Sequence, residues 1–433
     1  MADFIMDKGN RSVYKAAAVV AGNGIGSGVM AIPYYVLHAG TFGGMAAFAA
    51  AYIVSVLMHF MIATMVLRTM DADEERSGKA DILDIFNRYL FKGRAGMILR
   101  FAFFALLVVV LTANLSAYIS GAAQIFTQLL PVNGTVVKVI FFVAAAFVIL
   151  AGLGAVCTTE AVTVSVMAVI LLLMLVFSVL HIKESVELPL YGGFKEWAAA
   201  YSMIMFSFSA IFAVPQVVEY MTGEAKLPGK HEKDKEQSIE KGRTEKKEET
   251  GQTEEEEKTG TGEQKKQIRR SIWLGLLINL IISATVAVCT IVTSKEVTDI
   301  AIVGWADAVG GTIRVLGSVF IVFAMLTSFW SIGLASADIV AGQTHIKREL
   351  SFVIATVPAL IMTLILSNTF AEYLKLVGGA VAVIIALMAV PSYLLCMRDQ
   401  TAEERIEGYG EKAVAAFVFI MYIIMAAGSF ISV

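Results

Sequence analysis

A chain of 433 residues that is 57% hydrophobic and only 16% charged, with a mean hydropathy of +0.73, excludes a water-soluble globule, in which roughly a quarter of the residues carry charge. The net charge of −3 says little about partners, because the charges are segregated along the chain, and nothing in it points to nucleic acid. The three cysteines, Cys157, Cys289 and Cys396, give no disulfide framework.

A helix that crosses a bilayer needs about 20 mostly apolar residues. Such runs are predicted at 16–38, 44–67, 97–130, 136–156, 161–182, 197–222, 270–293, 312–343, 350–368, 373–396 and 412–431. The expected fold class is therefore an all-α integral membrane protein of eleven spans. Span 1 follows a short polar segment, is longer than a secretory h-region and has no small-residue cleavage site after it, so it is expected to be retained. An odd number of spans puts the termini on opposite sides. With the N-terminus inside, 28 Lys and Arg fall on the inner side and six on the outer, and such residues favour the cytoplasm. The N-terminus is thus expected to be cytoplasmic and the C-terminus external. The short termini and lack of targeting signals suit a prokaryotic inner (plasma) membrane.

Span 1 contains "AGNGIGSGVMAIP", with Gly22, Gly24, Gly26 and Gly28 around Asn23 and Ser27, and Pro33 after them. Unpaired backbone groups are costly in hydrocarbon, so a broken helix is tolerated only where protein or a water-filled cavity surrounds it. The glycines also form small-xxx-small pairs suited to close packing, but Pro33 and the polar side chains favour a break. His59 in span 2 is the one titratable residue well inside a span and is expected to be packed and neutral. Span 3 carries Tyr118 beside Asn114 and Ser116. Glu160, Glu219, Asp338 and Glu372 are expected near span ends, so the charges that mark pumps and voltage sensors are absent from the span centres.

Span 6, "YSMIMFSFSAIFAVPQVVEYM", is interrupted in the same way, with Ser207 and Ser209 in its middle and Pro215 beyond. After it, residues 224–268 alternate charge with almost no apolar residues and are expected to form a disordered cytoplasmic loop. The segments are therefore 1–222, with five spans and broken span 6; the loop, 223–269; 270–396, with spans 7–10; and 397–433, with span 11. There is no HExxH, CxxC, GxSxG or phosphate-binding glycine loop, so no enzyme is expected and no organic cofactor. Two spans interrupted at corresponding positions of two five-span halves point instead to the substrate site of an inverted-repeat transporter. There, helix N-termini offer amides to an anion and C-termini offer carbonyls to a cation, which suits a zwitterion.

"AGNGIGSG" is similar to the AGN-small-aliphatic-G-x-G run of LeuT-fold transporters. Spans 1 and 6 together resemble those of the amino acid/auxin permease family within the amino acid-polyamine-organocation superfamily, whose LeuT fold is a 5+5 inverted repeat plus one helix. A third similarity is "FAMLTSFWSIGLASADI" in span 8. The resemblance implies a Na+ site made of the carbonyls of Gly22, Ile25 and Ala324 and the hydroxyls of Thr327 and Ser328. Five neutral oxygens suit a hard monovalent cation; the alternative is that the hydroxyls only bond back to their own helix. Proton-coupled relatives can place a lysine of span 5 at this site, and span 5 here has none. Val29 stands where a second sodium would need an asparagine.

The resemblance also assigns the amides of Ser27 and Gly28, with the Tyr118 hydroxyl, to a substrate carboxylate. The Phe206 carbonyl, Ser207 and Ser209 would meet its ammonium group, with Gly24 opposite and Gly26 leaving the opening free. Phe206 would act as a lid and Phe212 as a wall. The implied activity is alternating-access import of a neutral amino acid, coupled to Na+. Coupling to H+, amino acid exchange, and an amino acid-sensing receptor that signals through the charged loop remain as alternatives. The expected partners are the lipid bilayer and the amino acid.

Overall fold

Glycine and proline positions divide the apolar chain into its helices. The computed structural model describes residues 8–26, 28–71, 79–180, 189–225, 249–294, 296–298, 301–366, 382–398 and 412–431, and among these all regular structure is helical. Helix α1 is Lys8–Ile25 and α2 is Ile32–Asp71; α2 is two helices joined at Gly40. Then come α3 (Ile82–Tyr89), α4 (Gly93–Leu129), α5 (Gly134–Leu150), α6 (Leu153–Leu180), α7 (Phe194–Ser207) and α8 (Val214–Ala225). The remainder is α9 (Glu249–Thr293), α10 (Ala301–Val309), α11 (Gly311–Thr344), α12 (Arg348–Ile365), α13 (Val390–Arg398, led by a π-helical turn Ile385–Ala389) and α14 (Lys412–Gly428). Seven of the described helical segments are long and apolar enough to cross a membrane, and three shorter ones, including α5 and α14, are apolar too.

Helix α1 is the axis of the molecule. Its residues Ala16 to Ala21 are fully buried, and it packs along α9, α6 and α11. The outward faces of α5 and α6 instead expose Val136, Ile140, Phe147, Val162, Val169, Leu172 and Val176. In water such a surface would be unstable; against lipid it costs nothing. Buried hydroxyls mostly bond one turn back, as Thr64 does to the Phe60 carbonyl (2.8 Å) and Ser178 to that of Met174 (2.8 Å). This satisfies them where no water can.

Gly40 has φ +77°, a conformation that side chains other than glycine's rarely adopt. The strand-like stretch before α7 crosses over it and takes up the freed backbone groups: Thr41 N–H donates to the Pro189 carbonyl (2.8 Å) and Gly192 N–H to that of Ala39 (2.8 Å). The end of span 1 is thereby fastened to the start of span 6, the two interrupted spans.

Two boundaries differ from the sequence-based expectation. Helix α9 begins at Glu249, inside the stretch 223–269 expected to be a loop, because Glu, Gln and Lys without proline are good helix formers. Its end also docks: Gln264 donates to the Met221 carbonyl (3.3 Å), and the Arg269 guanidinium lies 5.4 Å from the Phe60 ring centre. Residues 226–248 of the expected loop lie outside the described residues. The turn between spans 4 and 5 falls at Ala151 and Gly152, where φ is +100°. Cys157 and Glu160 thus belong to α6, and both are fully buried. Glu372 and most of span 10 before Ala382 lie outside the described residues.

Candidate functional site

Both interrupted spans break in the same manner. Helix α1 ends at Ile25, Gly26 turns the chain at φ +41°, a 3-10 turn spans Gly28–Met30, and α2 starts with Pro33 as its second residue. Helix α7 ends at Ser207, a 3-10 turn spans Ile211–Ala213, and α8 starts with Pro215 as its second residue. Proline fits a first helical turn because its missing N–H has no partner to lose there. Each break leaves carbonyls on one side and amides on the other without intrahelical partners.

The breaks touch. The Ser207 hydroxyl lies 3.4 Å from the Gly24 carbonyl oxygen and 3.5 Å from that of Ile25. A Cβ on Gly24 would stand 2.5 Å from Asn279 Nδ2 and 2.8 Å from the Ser207 carbonyl oxygen, so only glycine permits the approach. Asn279 Nδ2 also donates to the Ser207 carbonyl (2.6 Å), and its own Oδ1 accepts from Ser283 (3.0 Å). This pair on α9 caps the end of α7.

Between the breaks lies a cavity of about 20 Å³, room for a single water. Of the residues expected to bind substrate, Gly24, Gly26, Tyr118, Phe206, Ser209 and Phe212 line it. Gly28 lies under the Phe206 ring, whose Cδ1 is 3.1 Å from where a Cβ on Gly28 would be. Ser207, the last residue of α7, does not line the cavity, and its hydroxyl faces the α1 carbonyls. The Phe206 carbonyl is also occupied, accepting the Ser209 N–H (3.1 Å). Ser27 lies outside the described residues.

Asn23, Asn114 and Ile332 complete the lining. Asn114 is one helical turn from Tyr118, a spacing that could have selected it. The Tyr118 hydroxyl and Ser328 Oγ flank the same turn, 3.8 and 3.2 Å from where a Cβ on Gly26 would be. Below the cavity, Asn23 donates to Ser331 (2.8 Å), Ser331 to Gln216 Oε1 (3.1 Å), and Gln216 Nε2 to the Ser331 carbonyl (2.7 Å). Helices α1, α11 and α8 are joined there. His59 is fully buried and pairs with the Ser55 carbonyl through Nδ1 (2.6 Å).

Of the residues expected to hold a cation, four come together. Thr327 Oγ1 is 3.0 Å and Ser328 Oγ 3.1 Å from the Gly22 carbonyl oxygen, and Thr327 Oγ1 is 2.9 Å from that of Ala324. Ser328 further meets the Asn23 carbonyl (3.0 Å). The Ile25 carbonyl is turned to Ser207 instead, since it is the last residue of α1. Thr327 also bonds back within its helix, to the Phe323 carbonyl (3.2 Å); cross-helix and local bonds coexist. A cluster of buried neutral oxygens from two helices fits a hard monovalent cation.

Solved structures with the same architecture are transporters. Mhp1, a nucleobase-cation-symport-1 family transporter solved closed with bromovinylhydantoin bound, is 14% identical with a TM-score of 0.64, over 96% of this chain and 90% of its own. The Eremococcus coleocola manganese transporter, in complex with an aromatic bis-isothiourea substituted compound, is 14% identical with a TM-score of 0.53, over 97% and 85%. These likenesses show the fold, the LeuT fold. No curated protein matches the chain. A family model described as the tryptophan/tyrosine permease family matches residues 9–227, which supports the resemblance to amino acid/auxin permeases only at the level of the shared transporter superfamily. Permease membership makes the molecule a secondary transporter and not an enzyme. Because the match takes in half of the chain, including both breaks and Tyr118, the chain belongs to the tryptophan/tyrosine permease family.

Proposed function

We propose that the protein imports a neutral amino acid with an aromatic side chain by alternating access, in symport with Na+. The observation that carries this reading is the cavity itself. Two broken helices face it with backbone amides and carbonyls, Tyr118, Phe206 and Phe212 supply rings, and none of its lining residues is ionised at neutral pH. Helix ends of opposite polarity suit the two charges of a zwitterion. A pocket without a fixed charge disfavours Lys, Arg, Asp or Glu as substrate, since their side-chain charge would be buried unpaired. The aromatic preference draws on the family, whose name carries tryptophan and tyrosine.

A cavity of about 20 Å³ cannot hold an amino acid, so loading requires the breaks to part. The Phe206 ring, which lies over Gly28 and lines the cavity, is in the way of such loading. Gly22, Ala324, Thr327 and Ser328 would hold the Na+, with Ile25 joining them only if its carbonyl turns. The ion supplies a positive charge that draws the α1 and α11 oxygens together and so favours one arrangement of the two repeats. The N-terminal face is read as cytoplasmic from the basic residues on that side.

Uptake of a labelled amino acid mixture into proteoliposomes, with an inward sodium gradient or with choline in its place, tests the reading. Tryptophan, tyrosine or phenylalanine should accumulate only with the sodium gradient. Uptake that ignores sodium and follows a pH gradient would replace Na+ by H+; uptake of charged amino acids would overturn the substrate class.

A further inference from the structure

We infer that Glu160 on α6 is a charged ligand of the cation site, so that the coupling ion is held by a carboxylate as well as by neutral oxygens. This rests on the sodium reading above and adds to it a residue from a third helix. Glu160 is fully buried, and among the described residues neither of its carboxylate oxygens has a hydrogen-bond partner. Buried polar groups in folded proteins nearly always have partners, and an orphaned one needs an explanation, of which a bound ion is one. A carboxylate enclosed without hydrogen bond or counter-charge is among the costliest arrangements a protein can hold.

The geometry says which group is missing. A Cβ on Gly22 would lie 3.2 Å from Glu160 Oε2 and 2.9 Å from Thr327 Cβ. The carboxylate therefore stands at the same residue on whose carbonyl Thr327 and Ser328 converge. Among the described residues no basic side chain forms an ion pair with it, and Lys15 of α1, which reaches α6, gives its ammonium to Thr158 Oγ1 (2.9 Å). One carboxylate among hydroxyl and carbonyl oxygens is the donor set of a hard cation. In a low-dielectric interior the attraction between ion and carboxylate is much stronger than at a surface.

The test uses purified full-length protein and sodium alone as the probe. Binding of radioactive Na+ to Glu160→Gln should be weaker than to wild type by about ten-fold or more, with Glu160→Asp in between. As a measurement on the unmodified protein, a hydrophobic carbodiimide should label Glu160, read by peptide mass spectrometry, and sodium but not choline should protect it. Unchanged sodium affinity in Glu160→Gln, or equal labelling of wild type in sodium and in choline, overturns the proposal. If wild type binds no sodium at all, the sodium reading falls and this inference with it. If wild type and Glu160→Gln bind alike while Thr327→Ala/Ser328→Ala does not, only the role of Glu160 is lost.

Discussion

At residue scale the site is a set of close approaches, and each has a substitution that reads it. Gly26 combines φ +41° with a hypothetical Cβ 3.2 Å from Ser328 Oγ and 3.8 Å from the Tyr118 hydroxyl. Gly26→Leu is therefore expected to abolish uptake while leaving membrane insertion intact, because a side chain there is strained and fills the space between the two sites. Normal transport by that variant, at normal surface expression, would reduce the glycine to a packing role. Tyr118 is buried, and its hydroxyl lies beside Gly26, at the same turn as Ser328 Oγ, so it stands between the proposed substrate and cation sites. Tyr118→Phe should weaken amino acid binding by roughly 1–3 kcal/mol, the cost of leaving a charged group short of one buried hydrogen bond. Titration of labelled substrate at saturating sodium measures it, and an unchanged dissociation constant would remove Tyr118 from the site.

At the scale of elements, the broken helices are held open by partners from outside them. Asn279 on α9 donates to the Ser207 carbonyl at the end of α7 and nearly touches Gly24. Asn279→Ala should leave that carbonyl unpaired and lower stability by roughly 1–3 kcal/mol, seen as a lower melting temperature in detergent. Ser283→Ala should cost less, since it removes only the bond that orients Asn279. The breaks themselves were legible in the sequence, because glycine and proline act through the backbone, and the backbone is what a break rearranges. Gly26, Pro33 and Pro215 stand where that logic put them. Asn279 was not legible, for a single asparagine in an apolar run gives no sign of the helix it will meet. Glu160 was missed for a different reason. Apolarity alone starts its span near 161, whereas Gly152 turns the chain two turns of helix earlier, so Glu160 lies within the helix and is enclosed. The hydroxyl pair on α11 was found by resemblance, and its convergence on Gly22 needed the fold. The helical start at Glu249 was not legible for the opposite reason, since high charge suits a solvated loop and, in Glu, Gln and Lys, a helix alike.

For the whole molecule, the proposed alternating access requires a face that closes and reopens, and on the face that carries the N-terminus of α1 groups that titrate join the helices. Lys79 pairs with Glu219 of α8, Arg100 of α4 bonds Gln343 of α11 (2.8 Å), and Asp81 caps α3 by accepting from Leu83 and Asp84 N–H (2.7 and 2.9 Å). Asp81 Oδ2 lies 3.1 Å from where a Cβ on Gly342 of α11 would be. Burial, then the Asp84 carboxyl and, more weakly, that of Asp338 push Asp81 well above the usual carboxylate range, against the two N–H bonds that pull it down. Glu219, Lys79 and Arg348 are the other charged groups near this cluster. A pKa raised in the closed arrangement means that closure binds the proton. The stabilisation is complete below the ordinary Asp value of about 3.9, and it is lost as pH rises through the raised value. Alkaline conditions should therefore loosen the contact between α3 and the end of α11. Spin labels at Arg88 and Thr344, both on exposed surface, should show a single short distance at pH 6 and a longer, broader distribution at pH 9. Asp81→Asn keeps a good N-cap but cannot ionise, so it should hold the short distance at both pH values. A wild-type distribution that does not change with pH, or an Asp81→Asn protein that opens as wild type does, would mean that the Lys79–Glu219 and Arg100–Gln343 pairs close this face without Asp81.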